Sequence, residues 1–387
     1  MKELLKGLVK DWGLPSGVAD VLRSVPALRK RVRYIPTRGL PPGLSRTHFS
    51  RVVNDVLGET LQRTLYRHMS QWKEKGAYRI LLHTKSGATE SMIYKDVDYG
   101  QDDVAGLHEL GIQPGPPEYQ IYTHCSDQMQ EYVPQVHYCA RFREGTRYHI
   151  LLEDADLSHA EAEDLRGVVR ELARLHKRLE AAVDASDTDK GQLIDYGVEF
   201  KKGLPEYAIE GITDFAAITE SNTARLICEG WNAIERVYRR HAGKHQDLLV
   251  PVHGDTNLTN VLMSARNGEV RFVDWELAGI GLPQWDLAGL LKSAPVDDET
   301  ENALVELFYE KSDRRGLSRS DNRFLYRLCK LEHAMLGASL WTRYFTRRPT
   351  LSGAKLQPMI ESELNRLVTA YRHVGVILVV TCSALLF

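Results

Sequence analysis

No two cysteines in this sequence are spaced as CxxC, no apolar run reaches membrane-spanning length, and no G-x-G-x-x-G is present. The five cysteines, Cys125, Cys139, Cys228, Cys329 and Cys382, are scattered. Neither a zinc site nor a disulfide framework is indicated, and reduced thiols in a cytoplasmic protein are the simple reading. The uncharged C-terminal stretch 374–387 is shorter than the about 20 apolar residues a spanning helix needs, so a buried strand or helix end is expected there and no membrane partner. The N-terminal MKELLKGLVKDWGLP mixes charge into its first turns, unlike a secretory leader. A formal net charge of -2 gives no steering toward nucleic acid or an acidic membrane surface.

What is there is enough chain for two lobes: 387 residues exceed the usual size of one core. With 43% hydrophobic and 26% charged residues, most of it should fold. Residues 1–45 mix basic and apolar residues and end in the breakers Pro36, Gly39, Pro41, Pro42 and Gly43, which reads as a short helical extension and a loop. Strands are expected over 51–57, 61–68, 78–84, 91–96, 136–142 and 148–152, with Gly58 in the connection of the first two and a hairpin at Lys85-Ser86-Gly87-Ala88. Residues 116–128 have helical spacing. After Glu153 the texture changes. Leu165, Val168, Val169, Leu172, Leu175 and Leu179 recur at helical steps, and further helices are expected over 226–240, 302–311, 321–344 and 359–373. Strands followed by helices suggest an α+β chain of two lobes: an extension 1–45, a β-rich lobe 46–153 and a mainly helical lobe 154–387.

The helices are interrupted by one strand-like block, 249–278, which contains His253-Gly254-Asp255, then Asn260, then Asp274 after the apolar run Val270–Val273. Phosphoryl transfer needs the nucleotide phosphates neutralised by metal and the acceptor hydroxyl held in line with a group to receive its proton. Magnesium takes oxygen ligands, only one or two of them carboxylates beside phosphate oxygens. An Asp near the acceptor, an Asn a short loop away and a second Asp beyond a hairpin meet these needs, and H-x-D-x-x-x-x-N followed by a strand-borne Asp is a kinase layout. Asn267-Gly268 favours a tight hairpin that brings Val261–Met263 alongside Val270–Val273 and sets Asn260 facing Asp274. Taken singly, each residue is more often a turn or cap residue; the joint pattern carries the assignment.

HGDTNLTNVL, followed by FVDWELAGIGLPQWDLAGL, resembles the signature of the aminoglycoside phosphotransferase and choline kinase family, whose members share a bilobal protein-kinase-like fold. The match is specific over 250–290 and weak before residue 75. The resemblance implies a kinase that uses ATP or GTP with Mg2+. Asp255 would be the catalytic aspartate, and Asn260 and Asp274 the magnesium ligands. Asp286 and His253 would brace the loop. It implies a cation on the nucleotide phosphates supplied by a strand lysine, here Lys95 (Lys85 sits in a turn), held by a helix glutamate, here Glu118. Main-chain groups of Glu153, Asp154 and Ala155 would form the hinge that pairs with the base. Gly58 is the one glycine available for a phosphate loop. His176, on an apolar helix face, is expected to pack in the core.

The acceptor is less legible. Asp297, Asp298, Glu299 and Glu301 would suit a polycation, although acids at a helix N-terminus are commoner. Arg343, Arg347 and Arg348 around Tyr344 and Phe345 would suit an acidic or peptide acceptor, or simply a solvated face. The expected activity is transfer to a hydroxyl of a small molecule such as an aminoglycoside, sugar or amino alcohol. The alternatives are a kinase of Ser/Thr hydroxyls in peptides and a catalytically silent binding module. No Ser, Cys or His constellation suggests a covalent phospho-enzyme.

Overall fold

The segment Leu61–His68, with Thr64, Leu65 and Tyr66 buried in succession, is realised as the first long strand of an antiparallel sheet. The structure, a computed structural model, describes residues 37–41, 44–69, 76–98, 116–142, 147–155, 157–242, 245–264, 267–294, 296–313, 315–347 and 353–383. Most of the expected N-terminal extension and the last four residues lie outside them. The chain divides into two compact units, Met1–Asp102 with Val133–Asp156, and Asp103–Tyr132 with Leu157–Phe387.

The first unit holds helix α1 (Arg46–Leu57) and strands β1 (Leu61–His68), β2 (Gly76–Thr84), β3 (Thr89–Asp98), β4 (Val136–Phe142) and β5 (Arg147–Glu153). With a two-residue strand at Thr37–Arg38 on the edge, the sheet order is β1-β2-β3-β5-β4, antiparallel throughout. The core under it comprises Tyr66, Ile80, Leu82, Met92, Tyr94 and Leu151, covered by Phe49 and Val53 of α1. The strand expected over 51–57 is therefore a helix. Phe49 and Val53 stand four apart, as do Val52 and Val56, and this stripe meets the sheet. Gly58 is correspondingly not a turn between strands. At φ +65 it donates its N–H to Asn54 O at 2.9 Å and ends α1, the ordinary use of a left-handed glycine after a helix.

The second unit begins with the short helix α2 (Pro117–Gln120), which continues as a π turn over Ile121–Cys125. Then come β6 (Ser158–His159), α3 (Leu165–Ala185), β7 (Ile194–Asp195), α4 (Val198–Ile218), α5 (Asn222–Ala242), β8 (Val250–Val252), β9 (Val261–Met263), β10 (Val270–Phe272), β11 (Gly279–Gly281), α6 (Pro283–Lys292), α7 (Asp298–Lys311), α8 (Arg319–Arg347) and α9 (Gly353–Ser383). Helix α8 is the spine, with α4, α6 and α9 packed along it. The sequence signals no helix over α4, because Gly203, Pro205 and Gly211 interrupt it. Gly211 lies where a Cβ would stand 2.8 Å from Thr342 Oγ1, so its bareness lets α4 approach α8. Between these helices Lys201 and Glu332, both almost fully buried, pair at 3.3 Å, and Tyr238 donates its hydroxyl to Glu332 at 3.1 Å. Burial would lower the Lys201 pKa, but the Glu332 charge outweighs it and raises it. The apolar tail continues α9, with Val374 fully buried. Among the described residues no helix is long and apolar enough to cross a membrane.

Candidate active site

Two small sheets of the second unit carry the block 249–281. Strand β9 lies between β10 and β6, and β11 lies between β8 and β7. The buried β8, Val-Pro-Val, delivers the chain into the loop 253–260, and that loop runs along helix α6. At the start of α6 the fully buried Asp286 accepts from the His253 and Gly254 N–H groups, each at 2.8 Å, and from His176 Nε2 at 2.8 Å. Trp285 Nε1 donates to Gly254 O at 3.0 Å. One turn on, Thr256 O lies 2.8 Å from where a Cβ of Gly289 would be. Past the last turn, Ser293 Oγ accepts from Leu258 N at 3.0 Å. Main-chain groups of residues 254, 256 and 258 thus meet α6 and the residue after it in succession. Burial alone would raise the Asp286 pKa, but the hydrogen bond and charge of His176, with His253, hold it below the usual carboxylate range. His176 is therefore a core residue, edge-on to Phe308, with a polar duty the sequence does not show. Under the same helix, His333 donates to Trp285 O at 2.9 Å. Burial and the nearby Lys292 charge push the His333 pKa down to about 4.

Asp255 is held from both sides. Asn260 Nδ2 donates to its Oδ2 and to its main-chain O, each at 2.9 Å, and Asn257 Nδ2 donates to its Oδ1 at 3.2 Å and its O at 3.1 Å. With its amide hydrogens directed at Asp255, Asn260 offers its carbonyl oxygen as its remaining side-chain ligand atom.

The expected hairpin forms, with Val261 opposite Phe272 and Met263 opposite Val270. Its register differs by one residue from the expectation that Asn260 faces Asp274. The Asn260 main-chain O accepts from Val273 N–H at 2.9 Å, so Val273 faces Asn260 and Asp274 is the next residue along. Asp274 takes left-handed backbone angles, φ 69 and ψ 61, where the strand breaks into the turn Trp275–Leu277. His253 joins the two segments: its Nε2 lies 3.1 Å from Val273 O, its Nδ1 accepts from Asp255 N at 3.3 Å, and its ring packs on Trp275. A second link is Gly254, at φ +86, where a Cβ would lie 1.8 Å from Leu277 O. Leu277 O also accepts from the Tyr196 hydroxyl at 2.8 Å. Burial, with Asp286 and Asp255 nearby, holds that phenol well above its ordinary pKa.

In the first unit, Lys95 sits within β3, flanked by Ala77 of β2 and Ile150 of β5. Its neighbour Asp96 is paired with Arg147 and His149; burial opposes its ionisation, but these hydrogen bonds lower its pKa to about 2. Of the expected hinge, the side chains and N–H groups of Glu153 and Asp154 are committed to neighbouring residues. Glu153 and Gln135 exchange hydrogen bonds at 2.9 Å. The Asp154 carboxylate accepts from Arg79 at 2.8 Å and Ser91 at 2.5 Å, and its N–H donates to Ser91 O. Glu118 belongs to the second unit, on α2, buried to 1% exposure. That helix packs against the turn 275–277 that follows Asp274.

Several of the charged residues considered for the acceptor have internal employment. Asp297 caps α7 by accepting from Thr300 N at 2.8 Å, and Glu301 pairs with Lys330 at 2.7 Å. Arg343 lies 4.2 Å over the Tyr207 ring and pairs with Glu210, while Phe345 is buried against Phe215. Arg348 lies outside the described residues. Asn257, Trp285 and Ser293 were not singled out in the sequence. The available signal was Asn257-x-Thr259, a local Asx turn. Among the described residues no group of three or more His, Cys, Asp or Glu could hold a metal ion.

A family model described as the phosphotransferase enzyme family matches residues 107–318. No curated protein matches the sequence. Among solved structures, the fold is similar to the choline kinase LicA from Streptococcus pneumoniae, at 14% identity and a TM-score of 0.50, covering 84% of this chain and 98% of that one. It is similar to a mutant aminoglycoside 2'-phosphotransferase-IIIa in its GDP complex, at 14% identity and a TM-score of 0.54, covering 85% and 98%. It is also similar to a choline/ethanolamine kinase family protein from Mesorhizobium loti, at 11% identity and a TM-score of 0.53, covering 92% and 93%.

Proposed function

Since the chain belongs to the phosphotransferase enzyme family, we propose that it moves the γ-phosphoryl group of ATP or GTP onto a hydroxyl of a small molecule, with Asp255 receiving the hydroxyl proton. The observation that carries this reading is the Asp255 carboxylate, fixed through both oxygens by Asn257 and Asn260 on a loop seated against α6. A carboxylate so held can orient a hydroxyl for in-line attack and take its proton without first reorganising.

The residues present fit magnesium. The Asn260 carbonyl oxygen and the Asp274 carboxylate are hard oxygen donors on adjoining segments, tied through Val273. Two protein ligands, with phosphate oxygens and water completing the shell, are what this ion takes in nucleotide sites. When bound, it would neutralise charge on the transferring phosphoryl group. Lys95 is assigned to the nucleotide phosphates. Glu118 is assigned to support of the site through the turn after Asp274, against which its helix packs. The hinge contribution narrows to the Ala155 main chain and the adjoining main-chain carbonyls, because the N–H groups of Glu153 and Asp154 already donate to Gln135 and Ser91. Gly58, at the end of α1, is left with a structural duty.

The test is nucleotide consumption with magnesium across aminoglycosides, amino alcohols, sugars and Ser/Thr peptides. One alcohol of small size should be phosphorylated. Asp255→Ala should cut turnover by orders of magnitude with nucleotide still bound, whereas Asp274→Ala should also weaken magnesium-dependent nucleotide binding. Near-normal turnover in Asp255→Ala would remove the role given to it, and turnover confined to the peptides would replace the small-molecule acceptor.

A further inference from the structure

We infer that Asn257 is a positioning residue for Asp255, an inference that rests on Asp255 being the proton acceptor proposed above. Asp255 has two carboxylate oxygens and each is met by a different amide: Oδ2 by Asn260 at 2.9 Å and Oδ1 by Asn257 at 3.2 Å. These two asparagines are not equivalent. The Asn260 carbonyl oxygen is the atom assigned to magnesium, so its amide plane must answer to the ion as well as to Asp255. The Asn257 amide answers to the protein alone. Its Oδ1 accepts from Thr259 N at 3.0 Å and from Thr259 Oγ1. Its Nδ2 donates both to the Asp255 carboxylate and to the Asp255 main-chain oxygen.

Chemistry fixes the direction of that amide. Turning it over would set its oxygen against the carboxylate and carbonyl oxygens of Asp255 and its NH2 against the Thr259 N–H, losing favourable contacts at both ends. Asn257 therefore has one stable orientation, in which it presents hydrogen to Asp255. It holds the carboxylate plane whether or not metal and nucleotide are in place. Asn257 also caps the 3-10 turn Leu258–Asn260, so a residue with only a structural duty would look similar on simple deletion. The two duties use different atoms, the oxygen for the turn and the nitrogen for Asp255, and they can be separated.

Asn257→Asp keeps an oxygen for Thr259 and the size of the side chain, but replaces the donor with an acceptor facing Asp255. Asn257→Ser keeps a capping oxygen on a side chain too short to reach the Asp255 carboxylate. Both are compared with wild type by ADP or GDP release from the magnesium nucleotide, using the most active alcohol of the panel and then water as the acceptor. Nucleotide Kd and Tm are measured in parallel. The expected result for both is a fall in kcat of about tenfold or more, with nucleotide Kd within about threefold and Tm close to wild type. If either variant folds and keeps kcat within about twofold, or if only Asn257→Ala loses activity, the amide does no more than close the turn and the inference is overturned. Asp255→Ala separates the two levels. If it is inactive while Asn257→Asp and Asn257→Ser remain active, only the positioning role is lost. If Asp255→Ala itself turns over normally, the reading of Asp255 fails first and this one with it.

Discussion

Replacing Gly254 by alanine tests how closely the two halves of the site must approach. The added methyl would lie 1.8 Å from Leu277 O and 2.6 Å from Leu277 C, both backbone atoms, with the Tyr196 hydroxyl at 2.8 Å. Raising 1.8 Å to the 3.0 Å that Cβ contacts require means separating the two segments by at least 1.2 Å. One segment carries Asp255 and the other follows Asp274, so the separation falls between the groups proposed to work together. Displacements of about 1 Å in a catalytic constellation cost on the order of 100-fold in rate. The methyl must also accept φ +86, a left-handed cost of about 1–2 kcal/mol. Gly268→Ala supplies the control, since that residue has φ +70 with nothing within 4 Å of its Cβ position. It should show the left-handed penalty alone, as a modest loss of stability with near-normal kcat. Gly254→Ala should lose about 100-fold or more in kcat and several times the stability loss of the control, read by steady-state turnover and chemical denaturation. A folded Gly254→Ala with kcat within about threefold of wild type would refute the claim that this approach sets the geometry.

Two further outcomes follow from buried charge. His333 is neutral in the folded protein with a pKa near 4, against 6.5 when free, so the unfolded chain binds its proton first as the pH falls. Stability should therefore be full above about pH 6.5 and decline toward pH 4, by about 3 kcal/mol from this group. Denaturation midpoints across that window should flatten in a folded His333→Gln, and an unchanged slope would contradict the assignment. Lys201→Met should cost about 3–5 kcal/mol because it leaves Glu332 charged and buried. Adding Glu332→Leu should recover much of that, as judged by urea denaturation of the single and double variants, and a double variant no better than the single would count against the pair.

The long strands were legible because each alternates or packs apolar residues between turn signals, and the Lys85–Ala88 hairpin followed from its glycine. Helix α1 was not, since Val52, Val53 and Val56 favour a strand locally. The deciding contact, Phe49 with Val53 against Tyr66 and Met92, is tertiary. Helix α4 was hidden by residues that break helices in isolation, and the reason for Gly211 is the neighbouring helix. At the site, the residue types and the five-residue spacing of Asp255 and Asn260 could be read directly. The one-residue offset of Asp274 could not, because strand register depends on which hydrogen bonds close at Asn260 and Val273. Nor could the grip of α6, whose Asp286, Gly289 and Ser293 act on main-chain atoms of the loop and so leave no trace in that loop's own letters.

The hairpin β9–β10 has a consequence for how such sites are written in genomes. From Asp255 to Asn260 the interval is rigid, because the loop is seated on α6 and closed by its own amides. From Asn260 to Asp274 the chain travels out to an exposed tip at Asn267 and Gly268 and back. Residues added there in matched pairs would lengthen the excursion and return the chain to the same place. A search pattern for this kind of site should hold the first interval fixed and let the second stretch.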